Sequence, residues 1–155
     1  MSTLTPERLA ELTAQALERT AFMMADQTEP NDSALGSATR CARIRYAGPS
    51  SGTVVLRTGD EFLRALASNL LGVEPEAIDM ATCGEDAMKE LTNIVGGSVV
   101  LELGGRDCTY SLGLPSLSAC PTGTPEAAQT CCLDCEGQLL FVTWEPDATP
   151  SSLAA

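Results

Sequence analysis

Two stretches of this chain turn back on themselves almost at once. Cys41–Tyr46 and Thr53–Arg57 are strand-like runs around Gly48-Pro49-Ser50-Ser51-Gly52. Gln129–Cys135 and Gln138–Trp144 are separated by Glu136-Gly137 alone. Runs joined so briefly pair antiparallel, because a parallel pair needs a crossover of about a dozen residues or more. Between the two pairs lie long segments of helical period. The chain therefore reads as α+β, an antiparallel sheet with long helices packed on one side. Its 155 residues suit one domain, expected over 1–144, and Glu145–Ala155, with two prolines and small residues, reads as a flexible tail.

The helical segments carry their own punctuation. Thr5-Pro6-Glu7 supplies an N-cap, a proline at the first helical position and an acid in the first turn. Leu9, Leu12, Ala16, Thr20 and Met23 then recur at helical spacing, so a core-facing helix is expected to end near Gln27, with Thr28–Thr39 as a loop. Asp60 is placed to cap a second helix with apolar positions Phe62, Leu63, Leu66, Leu70 and Leu71, and Gly72 to stop it. A further helical stretch begins near Pro75 and runs through Glu85–Val95. Ser98–Leu103 and Cys108–Leu114 read as strands separated by Gly104-Gly105 and ended by Pro115.

Composition removes several kinds of chemistry. There is no histidine, so Ser-His-Asp and Cys-His catalysis, histidine phosphorelay and His-ligated metal are excluded. Nine basic against 21 acidic residues leave a net charge of −12, which repels phosphate backbones and anionic headgroups. Neither nucleic acid nor a membrane surface is an expected partner. The N-terminal segment lacks the basic and unbroken apolar regions of a secretory signal, and no apolar run approaches the ~18 residues of a spanning helix. A cytoplasmic location is expected. Seven cysteines without a framework pattern then read as free thiols. Cys132-Leu133-Asp134-Cys135, preceded by Cys131, matches C-x-x-C, but a structural zinc needs four ligands, and a strand would send Cys132 and Cys135 to opposite faces. No metal site is expected.

The informative segment is Asp86-Ala-Met-Lys-Glu90-Leu-Thr-Asn93-Ile-Val-Gly96-Gly97. At about 100° per residue, Asp86, Glu90, Asn93 and Gly97 fall within roughly 40° of one line, and Met88, Leu91 and Val95 lie opposite. One face packs inward; the other presents a carboxylate and a carboxamide one turn apart, able to reach the same external group. Gly97 removes bulk beside them, which would let a partner approach closely. The plainer alternative is a solvated helix face ending in a glycine cap.

Glu90-Leu-Thr-Asn93-Ile-Val-Gly96-Gly97, preceded by Asp86 and followed by Leu112-Gly-Leu-Pro115, resembles the signature of the CheC/CheX/FliY chemotaxis phosphatases. That family carries an acid or serine, then E-x-x-N, then a proline just over twenty residues on; here 21 residues separate Asn93 from Pro115. Members with two active helices repeat E-x-x-N on the first helix. The corresponding Glu18-Arg19-Thr20-Ala21 lacks the amide, so the resemblance implies a single site of the CheX type.

The resemblance also implies a function: hydrolysis of the aspartyl phosphate of a CheY-like response regulator. Asn93 would orient the attacking water, Glu90 would pair with the receiver's lysine, and Asp86 would support them by pairing with Lys89 or touching the partner. The chain would need no cofactor of its own, with Mg2+ supplied by the phosphorylated receiver. A homodimer is implied as well. A non-catalytic module that binds a receiver or dimerises would use the same face.

Overall fold

The computed structural model describes residues 3–30, 38–104, 109–119 and 128–147. Helix α1 (Pro6–Ala21) is followed by strands β1 (Asp26–Thr28), β2 (Arg40–Ala47) and β3 (Gly52–Thr58) and by helix α2 (Asp60–Leu71). A 3-10 turn (Pro75–Ala77) and a π-helical turn (Met80–Gly84) lead into the long helix α3 (Glu85–Gly104). Strands β4 (Ser111–Leu112), β5 (Ser116–Ser118), β6 (Gln129–Cys135) and β7 (Gln138–Pro146) follow.

The seven strands form one sheet in the order β1-β6-β7-β3-β2-β4, with β5 also paired to β2. Every pairing is antiparallel. Both expected hairpins form. Glu136 and Gly137 turn the second at φ 54° and 91°, both left-handed, a conformation that glycine adopts without steric cost at the second position and that Glu136 adopts as a non-glycine residue. Alternation along the strands then sorts residues to two faces. Ile44, Val54, Leu56, Leu133, Val142 and Trp144 meet the helices, whereas Cys132 and Phe141 face the other way beside Ala38.

Among the described residues the three helices all contribute to the larger cluster, through Leu9, Leu12 and Leu17 of α1, Leu63 and Leu66 of α2, and Met88, Leu91, Val95 and Val99 of α3. Leu91 and Val95 are 2% and 0% exposed, and each such side chain contributes about 1.5–3 kcal/mol by leaving water. Trp144 Nε1 donates to Tyr46 Oη at 2.8 Å, so the one tryptophan is buried without an orphaned N–H.

The N-cap of α1 is as expected: Thr5 Oγ1 accepts from the Arg8 N–H at 3.1 Å. Its end is not. The helix stops at Ala21, where Phe22 turns left-handed at φ 55°. Phe22 and Met23 then donate to the Glu18 and Leu17 carbonyls. This cap turns Met23 into the core at 2% exposure and leaves Phe22 outside at 82%. Asp26-Gln27-Thr28, polar throughout, becomes a strand only by pairing with β6. The expected loop therefore loses Thr28, and 31–37 lie outside the described residues.

Other boundaries also move. Ser98–Leu103 is helix, not strand, since Val99 sits four residues after Val95 on the same buried line and α3 runs on to Gly104. Of Cys108–Leu114 only Ser111–Leu112 is strand, and Cys108 lies outside the described residues. Pro115 is followed at once by β5, which pairs with β2. Asp60 is the first residue of α2, not its cap, which is Gly59; its carboxylate instead holds Arg40 at 2.8 Å. Gly72 does stop the helix, at φ 69°. Glu145 and Pro146 belong to β7 rather than to a tail. Asp147 beyond them is held by Arg45 at 2.6 Å and Ser51 at 2.8 Å, and 148–155 lie outside the described residues.

Candidate functional site

Helix α3 is fixed at both ends. Near its start, Arg40 bridges Asp60 at 2.8 Å and lies 3.9 Å from Glu85. Near its end, Arg8 of α1 binds Glu102 at 2.8 Å, holding that carboxyl below its ordinary range. Within it, the buried Thr92 hydroxyl donates to the Met88 carbonyl at 2.7 Å, so this polar group is satisfied without water. The helix begins from a wide turn in which the Cys83 and Gly84 N–H groups both donate to the Asp79 carbonyl. Irregular turns of this kind often lie beside functional positions.

The glycine pair sets how the helix sits. A Cβ on Gly96 would meet Ile44 Cγ2 at 2.8 Å and Leu112 Cδ1 at 3.2 Å, so α3 lies against β2 and β4 as only glycine permits. A Cβ on Gly97 would meet nothing within 4 Å. Neither residue ends the helix; one faces the sheet and the other faces out. The same contact places the Leu112-Gly-Leu-Pro115 segment alongside α3.

On the outward face, Asp86, Glu90 and Asn93 are all exposed and Gly97 is half-exposed. Met88, Leu91 and Val95 are buried opposite. The helix thus brings the four predicted residues onto one open surface. Among the described residues none of the three polar side chains makes a hydrogen bond or ion pair, and Asp86 does not pair with Lys89, contrary to one expectation for it. Two carboxylates and a carboxamide therefore point outward with their bonding capacity unspent.

Beside this face lies a groove of about 370 Å3 between α2 and α3. Ala67, Leu70, Leu71 and Ala87 give it an apolar lining, and Asp86 and Glu90 are part of its wall. The half-buried Cys83 also borders it. Leu70 and Leu71 are apolar positions of α2 as read from the sequence, but Leu71 is 56% exposed. The groove itself was not foreseeable, because it exists only where two separate helices meet.

Helix α1 does not present the same outward pair. Glu18 is exposed, but Ala21, where an amide would stand in E-x-x-N, is 0% exposed. The cysteine cluster is split by the sheet. Cys131 and Cys135 face the main core, while Cys132 belongs to the small cluster on the other side. Burial pushes the Cys131 thiol up to about 12 and those of Cys132 and Cys135 to about 11. These are neutral thiols, poor nucleophiles and poor metal ligands near neutral pH.

Their burial has a consequence in alkaline solution. Above the ordinary thiol value of 9.0 the unfolded chain releases protons that the folded chain retains. The native state then binds more protons, so stability falls as pH rises from 9.0 towards 12. Cys131 alone would contribute a slope approaching about 1.4 kcal/mol per pH unit. Denaturant midpoints between pH 8 and pH 11 are expected to fall (roughly the window set by these thiols), and less so in Cys131→Ala; an equal fall in both would contradict this cause.

Among the described residues no helix is long and apolar enough to cross a membrane. Residues 40–133 match the family model described as chemotaxis phosphatase CheX. No curated protein matches the chain in sequence. Among solved structures, it is similar to a chemotaxis protein CheX from Desulfovibrio desulfuricans at 17% identity and TM-score 0.71, covering 90% of this chain and 96% of that one. It is similar to the CheX–CheY–BeF3–Mg2+ complex from Borrelia burgdorferi at 13% identity and TM-score 0.70, covering 92% and 97%. The FliM middle domain of Vibrio alginolyticus is more distant, at 11% identity and TM-score 0.57 over 95% and 96%. These likenesses bear on the fold, and the residues matched by the family model include Asp86, Glu90, Asn93 and Pro115.

Proposed function

Because the chain belongs to the CheX family of chemotaxis phosphatases, we propose that it hydrolyses the aspartyl phosphate of a CheY-like receiver, with Asn93 positioning the water and Glu90 docking the helix. One observation carries this reading. Glu90 and Asn93 stand one turn apart, exposed and unpartnered among the described residues, on a helix locked to the sheet by its other face. That the Borrelia burgdorferi relative was solved together with CheY supports the choice of partner.

An acyl phosphate is an activated bond. Water oxygen bonds to phosphorus, the bond from phosphorus to the aspartyl oxygen breaks, and aspartate leaves with the electron pair. Inorganic phosphate forms, and the water's proton is released to phosphate and solvent. Charge on the phosphoryl group is met by the receiver's own divalent cation and lysine, which leaves positioning to the helper. A carboxamide is well suited to hold the water, because its oxygen accepts from the water, its N–H donates to a phosphoryl oxygen, and it adds no charge. Glu90, one turn earlier, pairs with the receiver's lysine and fixes the register of approach more than the raw affinity. Asp86 extends the same acidic edge. The protein works in the cytoplasm, where such receivers are, and as a homodimer, which light scattering on the eluted protein would test.

Glu90→Ala is expected to raise the concentration giving half-maximal acceleration about tenfold, with a smaller change in the maximal rate. The measurement is the loss of receiver phosphate across a titration of the protein. Equal losses in both parameters would contradict a docking role for Glu90.

A further inference from the structure

We propose that the groove between α2 and α3 is a second point of attachment for the receiver, taking a lysine or arginine side chain that projects beside the receiver's phosphorylation site. The inference rests on the receiver-phosphatase reading above and extends it from catalysis to the choice of receiver. The groove's two halves differ in character. Leu70, Leu71, Ala67 and Ala87 offer apolar surface, while Asp86 and Glu90 put two carboxylates on its wall. A long basic side chain has the same division, an aliphatic stem and a cationic head, and it favours sites where both are met.

Charge complementarity selects this occupant. Neither carboxylate has a cation of its own among the described residues, and the chain carries −12 overall, so an acidic segment is repelled there and a purely apolar one would leave both carboxylates without a counter-charge. Size agrees: at about 370 Å3 the groove is near the low end of pockets that enclose small molecules, about 300–1,000 Å3, and suits a single protruding side chain. Position selects the receiver as its source. Glu90 belongs both to the groove and to the face bearing Asn93, so a receiver seated over Asn93 reaches the groove from the same side. Glu90 then answers the receiver's active-site lysine and Asp86 the second cation, which gives Asp86 a role that pairing with Lys89 does not fill.

The test uses the whole chain and a CheY-like receiver from the same organism, phosphorylated for kinetics and loaded with beryllofluoride and Mg2+ for binding. Leu71→Ser and Asp86→Asn are expected to raise KM about three- to tenfold while leaving kcat unchanged. Both positions are exposed, so the fold tolerates the changes. Independently of activity, saturating loaded receiver is expected to slow alkylation of Cys83 by a maleimide, read by peptide mass spectrometry. If wild-type protein accelerates dephosphorylation but KM holds in both variants and Cys83 is not protected, the groove proposal falls and the phosphatase reading stands. If the wild-type protein binds the receiver and protects Cys83 without accelerating dephosphorylation, the phosphatase reading falls and the docking site stands. Protection of Cys83 that grows with the protein's own concentration, without receiver, would assign the groove to a second copy and overturn the proposal.

Discussion

Replacing Asn93 by alanine is expected to reduce receiver dephosphorylation about a hundredfold or more, towards the receiver's own slow rate, with no change in melting temperature. The magnitude is that of losing a group that holds a reactant in line, since misplacement alone costs about a hundredfold. The fold is spared because the Asn93 side chain is exposed and bonds to nothing among the described residues. Asn93→Asp makes the test sharper. It keeps the shape, removes the N–H donor and brings a negative charge towards a phosphoryl group, so it should fail about as badly as alanine. Phosphate release measured with each variant at saturating receiver decides the matter. Activity retained by Asn93→Ala would mean that the water is positioned by something else.

The second large effect separates two neighbouring glycines. Gly96→Leu is expected to destabilise the fold by about 1–3 kcal/mol by overpacking, because its Cβ would begin 2.8 Å from Ile44 Cγ2. For a chain of this size that lowers Tm by roughly 2–12 °C. Gly97→Trp should leave Tm nearly unchanged, as nothing lies within 4 Å of its Cβ, yet it should abolish receiver binding by standing where the partner must come close. Gly97→Ala is expected to gain about 0.5–1 kcal/mol of stability, the ordinary gain for replacing glycine within a helix. Thermal melts and binding of a beryllofluoride-loaded receiver together give the pattern. A stable Gly97→Trp protein that still bound normally would place the partner elsewhere on the molecule.

The outward line of Asp86, Glu90, Asn93 and Gly97 was legible in the sequence because it depends only on helical period, and period survives into the structure unchanged. Both hairpins were legible for a similar reason: their turns are local. Where strands were misplaced, the cause was non-local. Asp26-Gln27-Thr28 has no apolar alternation and is a strand only because β6 offers an edge. Val99-Val100 is β-branched and looked like strand, but Val99 continues the buried line from Val95, and that packing outweighed local preference. Pro115 reads as a break, yet Ser116–Ser118 directly after it pairs with β2. The α2–α3 groove has no local signature at all, since Leu71 and Asp86 become neighbours only after the chain has folded.

The proposed activity comes down to a carboxamide on an exposed helix acting on a phosphoryl group carried by another protein. Single-turnover decay probes that step alone: phosphorylated receiver with Mg2+ is mixed with excess protein, at concentrations where loaded receiver is already fully bound. Decay should run well above the receiver's own rate, reach a plateau as binding saturates and vanish with Asn93→Ala. Decay at the intrinsic rate from a fully formed complex would refute the activity, and would leave a protein that holds the receiver without turning it over.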